Sequence, residues 1–394
     1  MNNEKKEKII ELVKETPNQY IQKEDLTSRF VENGAEKLNR TYRTKGKTIK
    51  FLHRSIEFGS ITGLLPGTTS KIAYKICKDK YKTERHLEEM GIPVLSSKFF
   101  NEGELHIAKN FLNQHKDGNF VLKPLSLGSG KGIIFNVNIN NIEEAYLQSL
   151  EIQKEKSVIE PSFILQEYVD SFDVRICIVE GKFSCALWRV QPHVVGDGIH
   201  TVSELIEEKN KVRSNSFYFR NFIYEIDEKL ISNLESQDEG LNSIPANNKI
   251  VYLSNLGNLA AGAESVDITN EVSSDLINLA VKAVATIPGL HTAGVDILTE
   301  SFTSTRGYVS EINTNANFKV HYLPYYGEVR TPYKDMIENM FIKYKVNSGY
   351  NLDQQERRIF RSIAEFNDYR EKYHNKLGEL WLKTKNTSDD YFSS

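Results

Sequence analysis

The amino-acid sequence predicts an α+β fold, because stretches with helical periodicity and short extended runs follow one another irregularly. Helical periodicity is present in residues 103–115, 141–152, 202–212, 273–286, 333–346 and 354–376. Extended runs rich in apolar and β-branched residues are 119–123, 132–137, 163–168, 174–179, 183–190, 293–298 and 308–313. The regular strand–helix–strand order of a doubly wound parallel sheet is missing, so hairpins combined with helices are expected.

The chain of 394 residues is long enough for two or three packed domains. We divide it into an N-terminal helical region (1–78), a central domain (79–340) and a C-terminal helical tail (341–394). Residues 1–50 are interpreted as helix followed by a polar connection. The stretch 59–69, rich in Gly, Pro and Thr, is interpreted as the joint that leads into the central domain.

Composition narrows the class of protein. The 50 Lys and Arg residues nearly balance the 53 Asp and Glu residues, which argues against a nucleic-acid or membrane-surface binder. No run of 18 apolar residues is present, and the charged N-terminus does not resemble a signal peptide. Cys77, Cys177 and Cys185 show no metal-binding spacing, and the last two lie in apolar runs and should be buried. We expect a reducing, cytoplasmic setting, with a homodimer as one option for the assembly.

A glycine-rich stretch, FVLKPLSLGSGKGIIF, occupies residues 120–135. It is not a Walker loop, because Leu125 stands six residues before Lys131 and Gly132 follows it. It is not a dinucleotide fingerprint either, since Ile133 replaces the third glycine and an extended run follows. The pattern predicts strand, glycine turn, strand. This turn is either an ordinary β-hairpin or a flap whose backbone approaches phosphates.

A second motif combines acidic and amide side chains. Glu311 and Asn313 are two residues apart in an extended run, so both side chains should point to one face. Asp296 lies in another apolar run, and residues 299–307 are enough for a hairpin that brings the two runs together. Carboxylate and amide oxygens are ligands suited to Mg²⁺ carrying nucleotide phosphates. The alternative is structural, with Asp296 capping a turn and Glu311 paired with an arginine.

A third motif is a predicted hairpin around the turn Glu180–Gly181–Lys182, with Arg175 and Arg189 on its two arms. Arginines that face inward from paired strands are suited to binding a triphosphate or an acyl phosphate. Either arginine alone could equally be a surface charge on a solvated sheet.

These stretches, in this order, resemble the ATP-grasp family, in particular the ligase domains of cyanophycin synthetase and bifunctional glutathione synthetase. The resemblance runs from about residue 62 to 335, and its most specific part is RVQPHVVGDGIHTVSELIEEKN (189–210). It also includes the entry segment 61–94, the GSGKGI turn, GVDI and EIN. It implies an ATP-grasp fold of two α+β subdomains that hold ATP between them, here with an N-terminal extension and C-terminal helices.

The resemblance also implies roles for individual residues. The implied ATP-binding residues, on phosphates, flap and adenine linker, are Lys80, Lys123, Ser129, Gly130, Gly132, Gln166, Glu167, Tyr168 and Val169. The implied ligands of Mg²⁺ or Mn²⁺ are Asp296, Glu311 and Asn313. The implied catalytic residues, which would face phosphate, the acyl phosphate or a substrate carboxylate, are Arg175, Arg189 and Arg330.

The implied reaction is ATP-dependent ligation of a carboxylate to an amine through an acyl phosphate, on an amino acid or small peptide, releasing ADP and phosphate. Two alternatives stay open: a ligase or macrocyclase that modifies a ribosomal precursor peptide, and a phosphotransferase or ATP-binding regulatory protein. The sequence departs from the family pattern at Ser171, at residues 260–263 and at residues 315–318. These positions lie where acceptor substrates bind in the family, so they leave specificity open.

Overall fold

The structure is a computed structural model that describes residues 2–20, 27–116, 118–127, 131–259 and 262–391, with the backbone alone from residue 380 onward. The helices of these residues are α1 (Asn3–Leu12), α2 (Thr27–Lys37), α3 (Lys71–Lys78), α4 (Lys80–Met90), α5 (Leu105–Gln114), α6 (Ile142–Glu155), α7 (Val202–Ser214), α8 (Glu228–Glu235), α9 (Ser274–Thr286), α10 (Lys319–Tyr322), α11 (Pro332–Asn347) and α12 (Gln354–Tyr391). The strands are β1 (Thr41–Lys45), β2 (Thr48–His53), β3 (Ile56–Thr62), β4 (Leu65–Pro66), β5 (Ser97–Asn101), β6 (Phe120–Pro124), β7 (Ile134–Val137), β8 (Ser162–Glu167), β9 (Phe172–Val179), β10 (Lys182–Val190), β11 (His193–Val195), β12 (Ile250–Tyr252), β13 (Glu264–Asp267), β14 (Ala293–Thr299) and β15 (Tyr308–Asn313).

The largest sheet has five antiparallel strands in the order β13-β10-β9-β14-β15. Its middle strand β9 shows how the sequence assigns the two faces. Apolar residues alternate with polar ones from Phe172 to Ile176, and side chains of a strand point alternately to opposite faces. Val174 and Ile176 are therefore buried in the main core, while Asp173 and Arg175 share the other face.

The second sheet has four strands in the order β5-β8-β6-β7 and carries α5 and α6. These elements enclose a separate small core that includes Phe100, Leu122, Tyr146 and Phe163. The pairing of β6 with β7 confirms the predicted hairpin strands on either side of the glycine turn. Helices and antiparallel sheets are thus mixed along the chain, which confirms the α+β prediction.

A short linker joins the two sheets. β8 is paired in the smaller sheet, and residues 168–171 lead directly into β9 of the larger sheet. These residues cross from one sheet to the other, so the gap between the two sheets lies beside the linker. Asp79 caps α4 by accepting from the amide of Lys82, which starts this helix at Lys80 beside the same space.

The N-terminal region differs from its prediction. β1 to β4 form a four-stranded antiparallel sheet, so the interpretation of residues 1–50 as helix and polar connection is wrong from Thr41 onward. β2 alternates, with Ile49 and Phe51 buried and Lys50 exposed, which is the period of a half-buried strand. Many charged residues on the outer face obscure this pattern in the sequence. The sheet packs against α11.

The C-terminal helices agree with the prediction for residues 333–346 and 354–376, and α12 continues beyond the predicted range to Tyr391. α12 packs against α9 and buries Phe366 completely. Among the described residues, none of the helices combines the length and apolar character that a membrane span requires.

Candidate active site

A cleft of about 220 Å³ lies between the two sheets, next to the linker. One part of its wall is apolar and includes Leu95, Val121, Ile133, Phe135 and Leu298. The other part is polar and charged and includes Lys123, Gln166, Asp173, Arg189 and Ser310. An apolar pocket with a few convergent polar groups at one end is the usual form of a small-molecule site.

The linker forms a fixed edge of this cleft. The amide of Glu167 donates to the carbonyl of Ser96 at 2.9 Å, and the amide of Tyr168 donates to the carbonyl of Asn119 at 2.8 Å. The Tyr168 ring meets the edge of Phe135, with 6.1 Å between the ring centroids. Glu167, Tyr168 and Val169, predicted from the sequence to receive adenine, therefore do line a cleft with apolar walls.

Lys123 reaches the cleft from β6. Its Nζ donates to Gln166 Oε1 at 2.5 Å, and Gln166 Nε2 donates to Glu84 Oε2 at 2.7 Å. Burial, together with the neighbouring charge of Lys80, lowers the pKa of Lys123 to about 8. A buried ammonium group is poorly hydrated. An anionic ligand would replace the lost water and stabilise the charged form.

Lys80, at the start of α4, points to the same place. Its Nζ lies 3.7 Å from Glu311 Oε1, and its charge acts on Lys123. Lys80 thus contacts the carboxylate of Glu311 on β15, and the charge of this carboxylate also acts on Lys123. The predicted phosphate lysines and one predicted metal ligand are brought together.

Asp296 lies opposite both Glu311 and Arg175 in the register of the large sheet. Arg175 donates to it in a bidentate pair, from Nε to Oδ1 at 2.7 Å and from Nη2 to Oδ2 at 2.8 Å. Asn313 Nδ2 is 3.4 Å from Oδ2. Burial alone would raise the pKa of Asp296, but the charges of Arg175 and Arg189 hold it below its ordinary value.

Arg189 is shared between two carboxylates. Its Nη2 lies 2.5 Å from Asp173 Oδ1 and 3.1 Å from Asp296 Oδ2. Burial and the nearby Asp296 raise the pKa of Asp173 despite the attraction of Arg189. The Nε atom of Arg189 is buried and has no hydrogen-bond partner in the described part of the chain. An unsatisfied cationic donor that borders a cleft is a suitable contact for a phosphate or carboxylate oxygen.

The predicted metal ligands form one oxygen-rich corner. Asp296 and Glu311 face each other across paired strands, and Asn313 lies two residues further on the same face. The Glu311 side chain is 34% exposed and has only the distant contact with Lys80 among its described ion pairs. Asp296 Oδ1 accepts one described hydrogen bond and keeps a further lone pair. These donor types fit a hard divalent cation such as Mg²⁺.

The glycine turn is only partly described. Ser129 and Gly130, predicted to supply flap backbone, lie outside the described residues. Gly132 has φ +72°, and a Cβ atom there would lie 3.0 Å from Pro124 Cγ. This backbone conformation and the close approach both favour glycine, which explains one of the three glycines of the motif.

Arg330, predicted as a catalytic arginine, is placed apart from the metal corner. It donates from Nε and Nη2 to Asp267 Oδ2 at 2.9 Å and 2.7 Å, and it lies 3.0 Å from Glu328. Asp267 is on the edge strand β13, and two strands separate it from Asp296 on β14. The structure therefore unites the other arginines and the metal corner but leaves Arg330 at the far edge of the sheet.

The sequence reasoning missed two carboxylates of the site. Glu84 lies one helical turn after Lys80 in α4, and Asp173 lies two residues before Arg175 in β9. Both spacings put the side chain on the same face as a residue that was predicted, so the periodicity of the element could have found them.

The two thiols that the sequence predicts to be buried lie in the large sheet, next to Arg175. Cys177 and Cys185 are opposite each other on β9 and β10, and both are fully buried. Cys177 Sγ lies 2.9 Å from Nε2 of His321 on α10. This contact holds α10 against the face of the sheet that carries the arginines.

Comparison with known proteins shows related sequences and a related fold. The chain is 28% identical over 289 residues to cyanophycin synthetase of Synechocystis sp., covering 70% of this chain and 32% of that protein. It is 29% identical over 263 residues to the glutathione biosynthesis bifunctional protein GshAB of Listeria innocua, covering 65% of this chain and 33% of that protein. The chain thus spans about a third of the length of these curated relatives. No model of a protein family matches it.

A solved structure agrees with this similarity. The crystal structure of a bifunctional glutathione synthetase from Pasteurella multocida superposes with a TM-score of 0.56 and 22% identity, covering 80% of this chain and 44% of the other. The chain therefore has the ATP-grasp fold that its sequence predicts, and its relatives are synthetases.

Proposed function

We propose that this protein is an ATP-dependent carboxylate–amine ligase, which forms an amide bond on an amino acid or small peptide. The observation that carries the proposal is a group of charges at an apolar cleft. Lys123 and Arg189 line this cleft. Asp296 pairs with Arg189, and the charges of Lys80 and Glu311, which pair with each other, act on Lys123. Cations and oxygen ligands in this combination suit a metal-bound polyphosphate.

The two ends of the cleft suit the two ends of ATP. Adenine would lie among Val121, Phe135 and Leu298 beside the linker, where apolar walls favour a flat ring. The phosphates would extend toward Lys123 and Lys80, whose charges are otherwise poorly compensated. The names of the relatives, which are synthetases, support this use of the cleft.

The metal corner completes the phosphate end. Asp296, Glu311 and Asn313 would hold Mg²⁺ or Mn²⁺ through side-chain oxygens. A bound divalent ion neutralises phosphate charge and orients the terminal phosphoryl group. Asp296 also keeps Arg175 and Arg189 in place, so the arginines are already oriented when substrate arrives.

The chemistry follows in two steps. An oxygen of the substrate carboxylate attacks the γ-phosphorus of ATP, the bond to the β,γ-bridging oxygen breaks, and ADP leaves with that electron pair. The nitrogen of an amine then attacks the acyl carbon, phosphate leaves, and the nitrogen gives up a proton. Arg189 and Lys123 stabilise negative charge on the transferring group.

Arg330 is proposed to bind a substrate carboxylate rather than phosphate. Arg330 lies at the far edge of the large sheet, away from the metal corner. The non-reacting part of a substrate would extend toward this edge. Its fork already holds Asp267, so a substrate would share this arginine with that carboxylate.

The proposal is tested by measuring ADP release with Mg²⁺ across amino acids and dipeptides, supplied singly and in pairs. ADP release that needs both a carboxylate and an amine, together with an amide product seen by mass spectrometry, is the expected result. Oxygen-18 in the donor carboxylate should appear in the released phosphate, because one carboxylate oxygen leaves with it.

Each other outcome has a distinct meaning. Amide formed at a normal rate with unlabelled phosphate would rule out the acyl phosphate. A stable phosphorylated product would indicate a phosphotransferase instead. Activity with a precursor peptide and none with amino acids or dipeptides would replace the small-molecule substrate in the proposal.

A further inference from the structure

The N-terminal helix α1 reaches the cleft, although it lies outside the segment that resembles the ATP-grasp family. Lys5 of α1 lines the cleft together with Tyr168, Val169 and Ser171. It is only 7% exposed, which is unusual for a lysine on a short terminal helix. A lysine so buried needs a specific partner.

Asp170 is that partner, and it lies within the linker (168–171). Lys5 Nζ donates to Asp170 Oδ1 at 3.0 Å. The backbone amide of Asn2 donates to Asp170 Oδ2 at 2.9 Å, and the Asn2 side chain donates to the carbonyl of Glu300 at 2.6 Å. Burial would raise the pKa of Asp170, but Lys5 lowers it below its ordinary value, so this carboxylate is held charged.

Lys8, one turn further along α1, makes a comparable ion pair that has no part in the cleft. Its Nζ lies 2.9 Å from Glu271 and 4.9 Å from the centre of the Phe302 ring. Both lysines therefore attach α1 to the body of the protein, but the described lining of the cleft includes only Lys5.

We propose that α1 is a wall of the nucleotide site and that Lys5 is a positioning residue for the nucleotide. The ammonium group holds Asp170 and so fixes the linker against which the base lies, while the aliphatic part of Lys5 covers the cleft beside Tyr168. This inference rests on the proposed function. Since Lys80 and Lys123 serve the phosphate end, Lys5 acts on nucleotide affinity and leaves the chemical step alone.

The test compares Lys5→Met with the matched control Lys8→Met, using calorimetric titration with Mg-ADP. Loss of a buried charged hydrogen bond corresponds to roughly tenfold weaker binding, so Lys5→Met should raise the Kd for ADP by about that factor. Lys8→Met should stay within about twofold of wild type, because its ion pair is partly exposed and distant from the cleft. In turnover, Lys5→Met should raise KM for ATP and leave kcat unchanged.

A second measurement uses the unaltered protein, in case the Lys5 variant folds poorly. Amide hydrogen exchange of residues 3–12 should slow when Mg-ADP is added, since the nucleotide would hold the linker and α1 together. Unchanged exchange, or equal ADP affinity in Lys5→Met and wild type, would overturn this inference and leave the ligase proposal standing. Failure of the wild-type protein to bind ADP at all would instead refute the ligase proposal.

Discussion

Asp296 and Asp267 are two carboxylates of the same sheet, and each is held by the fork of one arginine. Arg175 binds Asp296 at 2.7 Å and 2.8 Å, and Arg330 binds Asp267 at 2.9 Å and 2.7 Å. By sequence the two pairs look alike, and both arginines were predicted to be catalytic. The two pairs differ in the side chains that surround them.

The pair at Asp267 is complete in itself. Thr269 donates to the remaining oxygen of Asp267 at 2.6 Å, and the amide of Arg330 donates to the carbonyl of His321 at 2.8 Å. The pair therefore pins the segment that follows α10 to the edge strand β13. Both oxygens of Asp267 have partners within the chain, while the guanidinium group of Arg330 remains partly exposed.

The pair at Asp296 belongs to a larger group of charged side chains, in which one buried donor has no described partner. Arg189 is drawn to the same carboxylate but keeps a buried Nε without a described partner. Glu311 and Lys80 lie beside it with loose contacts. An arginine–carboxylate pair is therefore a candidate for a functional site when further charged groups surround it and some of their hydrogen-bonding atoms have no partner.

The largest expected effect is on stability. Asp296→Asn removes the carboxylate that Arg175 binds and leaves Arg189 with Asp173 alone, and removing one partner of a buried ion pair costs about 3–5 kcal/mol. Asp267→Asn should cost roughly 1–2 kcal/mol, because Arg330 is partly exposed and keeps Glu328. Urea unfolding of both variants measures the difference. Equal losses would contradict the contrast between the two pairs.

The next effect is on turnover. Glu311→Gln removes one negative ligand from the metal corner and should lower ADP release at least about 100-fold at saturating Mg²⁺, with the fold intact. Glu328→Gln is the matched control, since its side chain is 70% exposed and contacts Arg330 instead. Normal kinetics of Glu311→Gln would remove Glu311 from the metal site.

Arginine-to-lysine changes sharpen the comparison further, because lysine keeps the charge and loses the fork. Arg189→Lys should lower kcat about tenfold, since its contact matters most as charge develops on the transferring phosphoryl group. Arg330→Lys should raise KM for the carboxylate substrate by a similar factor and leave KM for ATP nearly unchanged. The reverse pattern in steady-state kinetics would exchange the two assignments.

The last prediction concerns the pH dependence of nucleotide binding. Burial lowers the pKa of Lys123 to about 8, and under the proposed function nucleotide phosphates would bind its protonated form. Affinity for Mg-ATP is thus fully present below that pKa and should fall above it, by up to about tenfold per pH unit. Titrations between pH 7 and 10 measure this, and Lys123→Arg should flatten the dependence. If the affinity of the wild-type protein for Mg-ATP did not change with pH, a contact between Lys123 and the phosphates would be ruled out.

Several parts of the site could be predicted because they depend on local patterns. Runs of apolar and β-branched residues predict β9, β10, β14 and β15, and the spacing of Glu311 and Asn313 predicts their common face. The N-terminal sheet was missed because charged and polar residues on its exposed face interrupt such runs. Lys5 was missed because nothing near it in the sequence indicates a cleft.

From the amino-acid sequence alone follow most strands of the two sheets that border the cleft, the side chains that share a face, and the similarity to ATP-grasp proteins. Which side chains contact one another is set by the tertiary fold. Arg175 and Asp296 are 121 residues apart, and Lys5 and Asp170 are 165 apart. Alternation along a strand is set by the backbone of that strand alone. Which charges then meet depends on sheet order, on register and on where a terminal helix packs, and these follow from burial of the whole core.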